Sequence, residues 1–416
     1  PTSAQLMQCS RKAYLVTASL RITPLLMTWN PPLFPNKEEN KSANQTEDTM
    51  SNSRIQSKAL NAKLSWEIIG LDLAKNDLSF VGITLEGEII RIDRLSYEQL
   101  VEFSRDTDPT TFAMEPCCES HYLTNQLELY GHQCRIIPGK AVQNYIDTYF
   151  SGQKNDLNDA EALAFLGQQK RLKFVRAKNR DEMQLQTLLT VREHYIDEYR
   201  KTLTSLKGVA QYWGLRLAKS LSSEMRLIAL IEDADLPEDV KGIFKEMVKT
   251  YKDLQKKARE LTKKIEAFTQ GDEFCQKIRK IPGLGPISSA GLKVAIGDIA
   301  RFPSPRTLPA YFGLVPRNIT TGHSLKMGKI TKRGDKLVRT YLVQAASSLL
   351  MLDGKGKFRD CQLRRWIQRK RQTLNHGKLV VALAAKLLRI VWAILSKNEA
   401  FDYRKAGVAK CSLPKT

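Results

Sequence analysis

WEIIGLDLAKNDLSFVGITLEGEIIRIDRLS, residues 66–96, is the stretch of the chain that decides the fold. Its apolar and β-branched runs predict strands over 67–71, 79–85 and 88–95, and the Glu86-Gly87 pair predicts a tight hairpin between the last two. Ser96 followed by Gln99 is a capping box, which predicts a helix up to residue 104. The folded part of the chain therefore begins with three antiparallel strands and a helix.

The elements that follow have an order typical of one fold. The sequence predicts a strand over 110–114, a helix over 121–130 stopped by Gly131, a strand over 133–137, and a helix near Asp156. The order β-β-β-α-β-α-β followed by a helix is that of an RNase H-like domain, in which helices cover the faces of a mixed sheet. We therefore expect an α/β domain here.

Two long helices are predicted next. Residues 181–207 form an amphipathic pattern, and residues 240–268 carry apolar side chains at alternating steps of four and three, which is typical of a coiled coil. The seam consists of Val240, Phe244, Met247, Tyr251, Leu254, Ala258, Leu261, Ile265 and Phe268. An antiparallel hairpin within one chain and a coiled coil that joins two chains fit this pattern equally well.

The positive charge of the chain is local. Of the net +22 over 416 residues, +20 comes from residues 301–416, which hold 25 Lys and Arg against five acids, whereas the first 300 residues hold 41 against 39. A polyanion is the natural partner of such a concentration of cations, because its binding releases condensed counterions. Nucleic acid is the favoured partner, ahead of an anionic membrane or a merely basic surface.

Other compositional features exclude several classes of protein. The longest apolar run, 379–395, is interrupted by Lys386 and Arg389, so we expect no membrane span. The seven cysteines include no Cys-x-x-Cys pair, which argues against structural zinc and suits a reducing cytoplasm. Residues 1–60 lack apolar periodicity and are expected to be a disordered extension.

Four carboxylates occupy special places in the predicted domain. Asp72 ends the first strand, Glu115 ends the fourth, and Asp156 and Asp159 are three residues apart at the start of a helix. In an RNase H-like sheet the two strands are neighbours, so the four acids should converge. Converging carboxylates repel each other unless cations lie between them, and an all-oxygen ligand set suits Mg²⁺ or Mn²⁺. The two helix acids are equally compatible with ordinary N-terminal helix residues.

Two glycines mark a second candidate site. In Ile-Pro-Gly-Leu-Gly-Pro, residues 281–286, Gly283 and Gly285 predict a tight turn between helices whose backbone N–H groups can meet a phosphate. The pattern resembles the helix-hairpin-helix element, which binds DNA backbones without regard to sequence. A plain helix-helix turn is the weaker alternative.

A third candidate site lies in residues 311–339, where hydroxyls stand beside a glycine and several cations. Arginine suits bidentate binding of phosphate oxygens, and a lysine supplies a point charge. The candidate phosphate contacts are Arg317, Lys326, Lys332, Arg333 and Arg339. A basic loop without a site remains an alternative.

Together these motifs resemble a known family over about residues 66–350. Gly-Leu-Asp-Leu-Ala-Lys, Met-Glu-Pro, Lys-Asn-Asp-Leu-Asn-Asp-Ala-Glu-Ala, Ile-Pro-Gly-Leu-Gly-Pro and Gly-Leu-Val-Pro-Arg look like those of the DEDD-type insertion-sequence transposases, relatives of the Piv invertases. The resemblance implies a RuvC-like domain whose acidic tetrad is Asp72, Glu115, Asp156 and Asp159. It also implies a C-terminal domain with a serine nucleophile, and a structured RNA, encoded by the element, that guides the choice of DNA site.

This chain departs from the family at the nucleophile. The serine of the family usually lies in a Ser-Ser-Gly or Ser-Thr-Gly run, and here the run is Thr320-Thr321-Gly322. Threonine keeps the hydroxyl, but its β-methyl group stiffens and crowds it. Thr320 is the expected nucleophile, with Thr321 and Ser324 as alternatives.

The sequence thus predicts five segments: a disordered extension (1–60), a RuvC/RNase H-like domain (61–178), a coiled-coil linker (179–272), a transposase domain with a helix-hairpin-helix-like element (273–360), and a basic helical segment (361–416). The C-terminal part is expected to be mainly helical. The predicted function is that of a cytoplasmic transposase that cleaves and rejoins DNA, with a guide RNA and a second copy as partners. A metal-dependent junction-resolving nuclease and an inactive nucleic-acid-binding remnant are the alternatives.

Overall fold

The computed structural model describes residues 64–153, 155–217, 224–321 and 324–404, with the backbone alone for residues 320, 321 and 324–326. Its main sheet has the strands β1 (Trp66–Leu73), β2 (Asp77–Thr84), β3 (Ile89–Ser96), β4 (Thr111–Met114) and β5 (Gln133–Ile136). The strand order is β3-β2-β1-β4-β5. The first three strands are antiparallel, whereas β4 is parallel to both β1 and β5. The predicted mixed α/β sheet is confirmed.

Helices cover both faces of this sheet. They are α1 (Tyr97–Asp106), α2 (Ser120–Leu129), α3 (Gly139–Tyr149) and α4 (Asp156–Gly167). On one face the rings of Trp66, Phe80 and Phe103 pack edge to face. On the other face Ile68 of β1 packs in one cluster with residues of α3 and α4. The predicted capping box at Ser96 is present and begins α1.

Three helices form the middle of the chain: α5 (Arg180–Tyr212), α6 (Glu224–Glu232) and α7 (Glu238–Gly271). Early residues of α5 contact late residues of α7, since Arg192 Nε donates to Thr262 Oγ1 at 2.8 Å. Further along, Leu206 of α5 packs in one cluster with Phe244 of α7. The two long helices therefore pack antiparallel within one chain.

The C-terminal part is built around one apolar helix. Its elements are α8 (Glu273–Arg279), α9 (Pro286–Ile296), a 3-10 turn (Ile299–Arg301), α10 (Thr307–Tyr311), β6 (Pro316–Thr321), β7 (Ser324–Ile330), α11 (Lys336–Gly354), α12 (Gln362–Arg371) and α13 (His376–Lys397). By length and composition α13 could span a membrane, but half of its most apolar stretch is buried inside the protein. Leu383, Leu387 and Val391 belong to the hydrophobic core of the C-terminal part. Helix α13 is therefore a core helix.

Three elements were not expected from the sequence: α3, α6 and the β6–β7 hairpin. Helix α3 buries only Val142 and Ile146, which is too short an apolar pattern to stand out. The described side chains of β6, Pro316 to Ile319, are all exposed, so this strand lacks the alternation of a half-buried strand. The C-terminal part thus adds a two-stranded sheet to the expected helices. The predicted extension, residues 1–60, lies outside the described residues.

Candidate active site

Asp72 and Glu115 lie in one row at the edge of the sheet. The parallel register of β1 and β4 ends with Leu71 opposite Met114, so the next residues on each strand are these two acids. Neighbouring strands are about 4.8 Å apart. The backbone therefore brings Asp72 and Glu115 side by side, as the sequence predicts.

Glycine allows α4 to lie directly on β1. A β-carbon added at Gly70 would collide with the carbonyl oxygen of Ala160 and lie 2.6 Å from the backbone nitrogen of Ala164. Further along α4, a β-carbon at Gly167 would collide with Ile68. The helix therefore runs antiparallel to β1, with its first turn at the end of the strand that carries Asp72.

This packing sets the position of Asp156. It precedes Ala160 by one helical turn, roughly 6 Å along the helix, and Asp72 follows Gly70 by two strand residues, roughly 7 Å. Both steps lead to the same edge of the sheet. Asp72 and Asp156 line one cavity of about 520 Å³.

The other two acids of the predicted tetrad have different surroundings. Asp159, three residues after Asp156, is 5 % exposed. The side chain of Glu115 approaches the first turn of α3: a β-carbon added at Gly139 would lie 3.5 Å from each carboxylate oxygen of Glu115. Among the described residues, no group of three or more His, Cys, Asp or Glu side chains could already hold a metal ion. The backbone brings Asp72, Glu115 and Asp156 to one edge of the sheet, and carboxylate oxygens are ligands that Mg²⁺ prefers. Within the described part of the chain, these side chains do not form a closed ligand shell.

Sequence reasoning missed Tyr97, which connects α1 to the turn after Asp72. Its hydroxyl donates to the carbonyl oxygen of Ala74 at 2.8 Å, two residues after Asp72. Burial, together with the nearby carboxylate of Glu119, raises the pKa of Tyr97 well above its usual range. The phenol therefore stays protonated and able to donate. No local pattern could have revealed a link between residues this far apart in the chain.

The cavity lining also includes side chains that the sequence did not single out. They are Asp77, Ser79, Arg91, Asp93, Arg94, Asn155 and Asn158. Asn155 caps α4 by accepting a hydrogen bond from the backbone of Asn158 at 2.7 Å. The cap fixes the first turn of α4, which carries Asp156, on the sheet.

A separate set of contacts joins the sheet domain to the helices after it. Arg176 Nη1 lies 2.8 Å from Glu182 Oε2 of α5, and Arg176 Nη2 donates to the carbonyl of Val294 in α9 at 3.3 Å. Beside it, Lys178 Nζ lies 2.9 Å from His121 Nε2. Burial, together with the charges of Lys178 and Arg176, lowers the pKa of His121 to about 4. His121 is therefore neutral near pH 7.

The β6–β7 hairpin carries the predicted nucleophile. The backbone of Thr320 pairs with Leu325, and that of Thr321 with Ser324. The side chains of Thr320 and Lys326 lie outside the described residues. Arg317, on the same hairpin, is exposed.

The base of this hairpin is held by close backbone contacts. A β-carbon at Gly313 would collide with the backbone of Arg333, and one at Gly334 with the carbonyl of Tyr311. Arg339 Nη1 donates to the carbonyl oxygens of Arg333 at 2.8 Å and Phe312 at 3.2 Å. Arg339 therefore fixes the hairpin base. The other cations predicted here, Lys332 and Arg333, are exposed.

The two glycines before α9 differ in what surrounds them. Gly283 has a φ of +84°, and a β-carbon there would lie 3.0 Å from Leu349 Cγ. Gly285 is the N-cap of α9 with a φ of −91°, and an added β-carbon would meet nothing within 4 Å. Gly283 thus meets a need of the fold, whereas the space beside Gly285 is open.

Comparison with known proteins agrees with this arrangement. Residues 69–212 match a DEDD-type transposase description of the IS110 kind, and residues 275–360 match the description "Transposase IS116/IS110/IS902 family". A Sinorhizobium fredii protein described as transposase y4pF/y4sB is 31 % identical over 351 residues, which cover 83 % of this chain and 87 % of that protein. The chain belongs to the IS116/IS110/IS902 transposase family.

Other relatives of this IS116/IS110/IS902 transposase extend the comparison. The transposase for insertion sequence element IS1328 of Yersinia enterocolitica is 28 % identical over 80 % of this chain and 98 % of its own length. The pilin gene-inverting protein of Moraxella bovis is 24 % identical over 66 % of this chain and 76 % of its own length. The predicted resemblance to DEDD-type transposases and their pilin-inverting relatives is confirmed, and so is the prediction of an enzyme of DNA transposition.

Proposed function

We propose that this transposase cleaves and rejoins the DNA strands of an insertion sequence through a hydroxyl nucleophile on the β6–β7 hairpin, assisted by the acids at the edge of the main sheet. The observation that carries the proposal is the shared cavity of Asp72 and Asp156, with Glu115 in the row beside Asp72. The close packing of α4 on Gly70 supports the approach of Asp156 to Asp72, and the parallel register of β1 and β4 supports that of Glu115.

The edge of the main sheet that carries Asp72, Glu115 and Asp156, which we call the acid edge, would hold a divalent cation. Asp72, Glu115, Asp156 and Asp159 would supply the carboxylate oxygens that Mg²⁺ or Mn²⁺ prefers. A bound ion would stabilise the charge that develops on a phosphate during strand transfer. The residues around the acids keep them in position: Gly70 admits α4, Asn155 caps it, and Tyr97 holds the turn after Asp72.

The nucleophile of the proposal is Thr320, with Thr321 and Ser324 as alternatives. Its hydroxyl oxygen would attack a DNA phosphorus while its proton passes to a base. A DNA oxygen would leave with a proton, and a protein-DNA phosphodiester would remain. Attack on that bond by a DNA hydroxyl would rejoin the strands and restore the threonine.

The C-terminal part is proposed to bind the DNA backbone. Open space beside Gly285 leaves the first turn of α9 accessible to a phosphate, as in a helix-hairpin-helix element. Gly283 shapes that turn. Arg317, Lys326, Lys332 and Arg333 would contact phosphates around the hairpin, while Arg339 orders its base. The same positive charge suits a guide RNA, and sequencing of RNA that co-purifies with the protein tests that partner.

A second copy of the chain is proposed to assemble at the far end of the long helices, beyond a coiled coil formed by α5 and α7 within one chain. Large apolar side chains are exposed there, including Tyr212 at 86 %, Met225 at 81 % and Ile243 at 56 %. Exposed apolar patches of this kind mark interaction surfaces. The proposed location of the enzyme is the cytoplasm, where its DNA lies.

The decisive experiment compares Asp72→Asn with Asp108→Asn. Asp108 is an exposed acid of the same domain outside the cavity, so its change removes equal charge from the surface. Asp72→Asn should abolish strand transfer between DNA ends of the element while DNA binding persists, and Asp108→Asn should retain both. Recombination by Asp72→Asn at the unchanged rate would refute the role of the acids. Detection of a covalent protein-DNA adduct would distinguish the proposed hydroxyl nucleophile from a nuclease mechanism in which water attacks the phosphorus.

A further inference from the structure

A β-bulge interrupts β3 on the row of the sheet that carries Asp72. Asp72 pairs with Ser79 across β1 and β2. The ladder between β2 and β3 pairs Leu78 with Leu95 and Phe80 with Ile92, so Asp93 and Arg94 both lie opposite Ser79. The Ser79 hydroxyl donates to the carbonyl oxygen of Asp93 at 2.8 Å, which holds the bulge in place.

The bulge changes which residues line the cavity of Asp72 and Asp156, which we call the acid cavity. An extra residue in a strand redirects the side chains around it, and such bulges often occur next to active sites. Here Asp93 and Arg94 both line the cavity that contains Asp72 and Asp156. An uninterrupted strand would turn adjacent residues to opposite faces of the sheet. The bulge is therefore the reason that Arg94 faces the same cavity as Asp93.

The two arginines of the cavity differ in their protein contacts. Arg91 donates from Nε and Nη2 to Glu161 Oε2, at 2.9 and 2.6 Å. Arg94 is exposed, and its side chain forms no hydrogen bond or ion pair with any other residue in the described parts of the chain. Its guanidinium is thus available to a ligand.

The surroundings of Arg94 suit a phosphate of a DNA strand. The cavity contains four aspartates, at 72, 77, 93 and 156, so an anionic strand needs a compensating cation at its entrance. β3 is the edge strand of the sheet, and Arg94 stands on it. Arginine matches the geometry of phosphate oxygens with two parallel N–H donors.

We propose that Arg94 binds a non-reacting phosphate of the DNA strand that lies in the acid cavity, close to the phosphate that reacts. It acts as a positioning residue, because it fixes the register of the strand against Asp72 and Asp156. This inference rests on the proposed function, since it takes the acid cavity to be the place of strand transfer.

Methylphosphonate scanning tests the contact directly. The full-length chain is mixed, in Ca²⁺, with fluorescent DNA that carries the end of the element, and single phosphates of the cleaved strand are replaced in turn by the uncharged methylphosphonate. Wild type should lose affinity when the contacted phosphate is replaced. Arg94→Ala should become insensitive at that one position, and its slope of log K against log salt should fall by about 0.9.

Matched variants separate this contact from general electrostatics. Arg171→Ala removes an exposed arginine of the same domain that does not line the cavity, and it should keep the wild-type scan. Arg94→Lys should restore the salt slope but recover only part of the sensitivity at the contacted phosphate. Unchanged melting of Arg94→Ala confirms that the fold is intact.

Two results would overturn the inference. One is an Arg94→Ala scan identical to that of Arg171→Ala. The other is a difference between the scans of wild type and Arg94→Ala that is seen with RNA of the same sequence but not with DNA. Either result leaves the proposed function standing if Asp72→Asn abolishes strand transfer. If Asp72→Asn retains strand transfer, the proposed function fails whatever the scan of Arg94 shows.

Discussion

The acid edge of the main sheet and the β6–β7 hairpin carry the two halves of the proposed chemistry, and they are built in opposite ways. The acids are placed by buried packing, where α4 lies against Gly70 with no room for a side chain. The hairpin is a two-stranded ribbon whose described β6 residues are exposed, and its base is fixed through Gly313, Gly334 and Arg339. The comparison teaches that the acids depend on the whole sheet, whereas the hydroxyl depends on a local loop.

The largest effect should follow from Gly70→Ala. The added methyl group would collide with the backbone of Ala160, so α4 must move away from β1 and carry Asp156 with it. We expect the free energy of unfolding to fall by about 1–3 kcal/mol, and strand transfer to fall at least roughly 100-fold, since a displacement of about 1 Å can have that effect. Urea unfolding and a recombination assay measure the two quantities.

Gly208→Ala is the matched control for that change. Gly208 lies within α5, and an added β-carbon there would meet nothing within 4 Å. Alanine should stabilise the helix by about 0.5–1 kcal/mol. A Gly70→Ala variant that transfers strands as well as Gly208→Ala would show that the acid edge does not depend on this packing.

Changes at Thr320 test the other region. Thr320→Ala should eliminate the covalent adduct with DNA, because it removes the hydroxyl that attacks the phosphorus. An unchanged melting temperature would show that the fold is intact. Thr320→Ser should raise recombination several-fold, since it removes the branched methyl group that stiffens the hydroxyl. Adduct formation on denaturing gels and recombination of a plasmid carrying the element are the measurements.

Thr321→Ala and Ser324→Ala complete the series. Each should retain the adduct if Thr320 is the nucleophile. An adduct that persists in Thr320→Ala and disappears in one of these variants would move the assignment to that residue. If all three variants still form the adduct, the nucleophile does not come from the hairpin.

The same contrast explains how much could be predicted from the sequence. Asp72 and Glu115 follow apolar strands, and Asp156 opens a capped helix, so local patterns mark all three, and the order of elements brings them together. Arg94 and Tyr97 are different, because their roles depend on a bulge opposite Ser79 and on a hydrogen bond to Ala74. Such contacts join distant parts of the chain and leave no periodic pattern.

The hairpin was missed for a physical reason as well. A strand reveals itself when one face is buried, because apolar and polar residues then alternate. Arg317, Asn318 and Ile319 of β6 are all exposed, so this stretch has no buried face that would require apolar residues at alternate positions. Its hydroxyls and cations could be recognised as a candidate site, but the two-stranded structure that presents them could not.

A smaller effect is expected at the two glycines before α9. Gly283→Ala should destabilise the fold by about 1–2 kcal/mol, because the residue has a positive φ and Leu349 leaves little room. Gly285→Ala should leave stability nearly unchanged and weaken DNA binding a few-fold for all sequences alike, since backbone contacts do not specify sequence. Thermal melting and fluorescence anisotropy distinguish the two. Equal DNA affinity of Gly285→Ala and wild type would reject the phosphate site at α9.

The smallest effect should come from Tyr97→Phe, which removes the hydrogen bond between α1 and the turn after Asp72 without changing the packing of the ring. The lost hydrogen bond to Ala74 should lower the free energy of unfolding by about 0.5–1.5 kcal/mol. Because the sheet still places Asp72 and Glu115 in one row, strand transfer should persist at saturating Mg²⁺, while the Mg²⁺ concentration for half-maximal rate rises a few-fold. Tyr149→Phe removes the hydroxyl of an exposed tyrosine in the same domain and should shift neither quantity. A fall in the rate of Tyr97→Phe that excess Mg²⁺ does not recover would mean that this turn, rather than the sheet, positions Asp72.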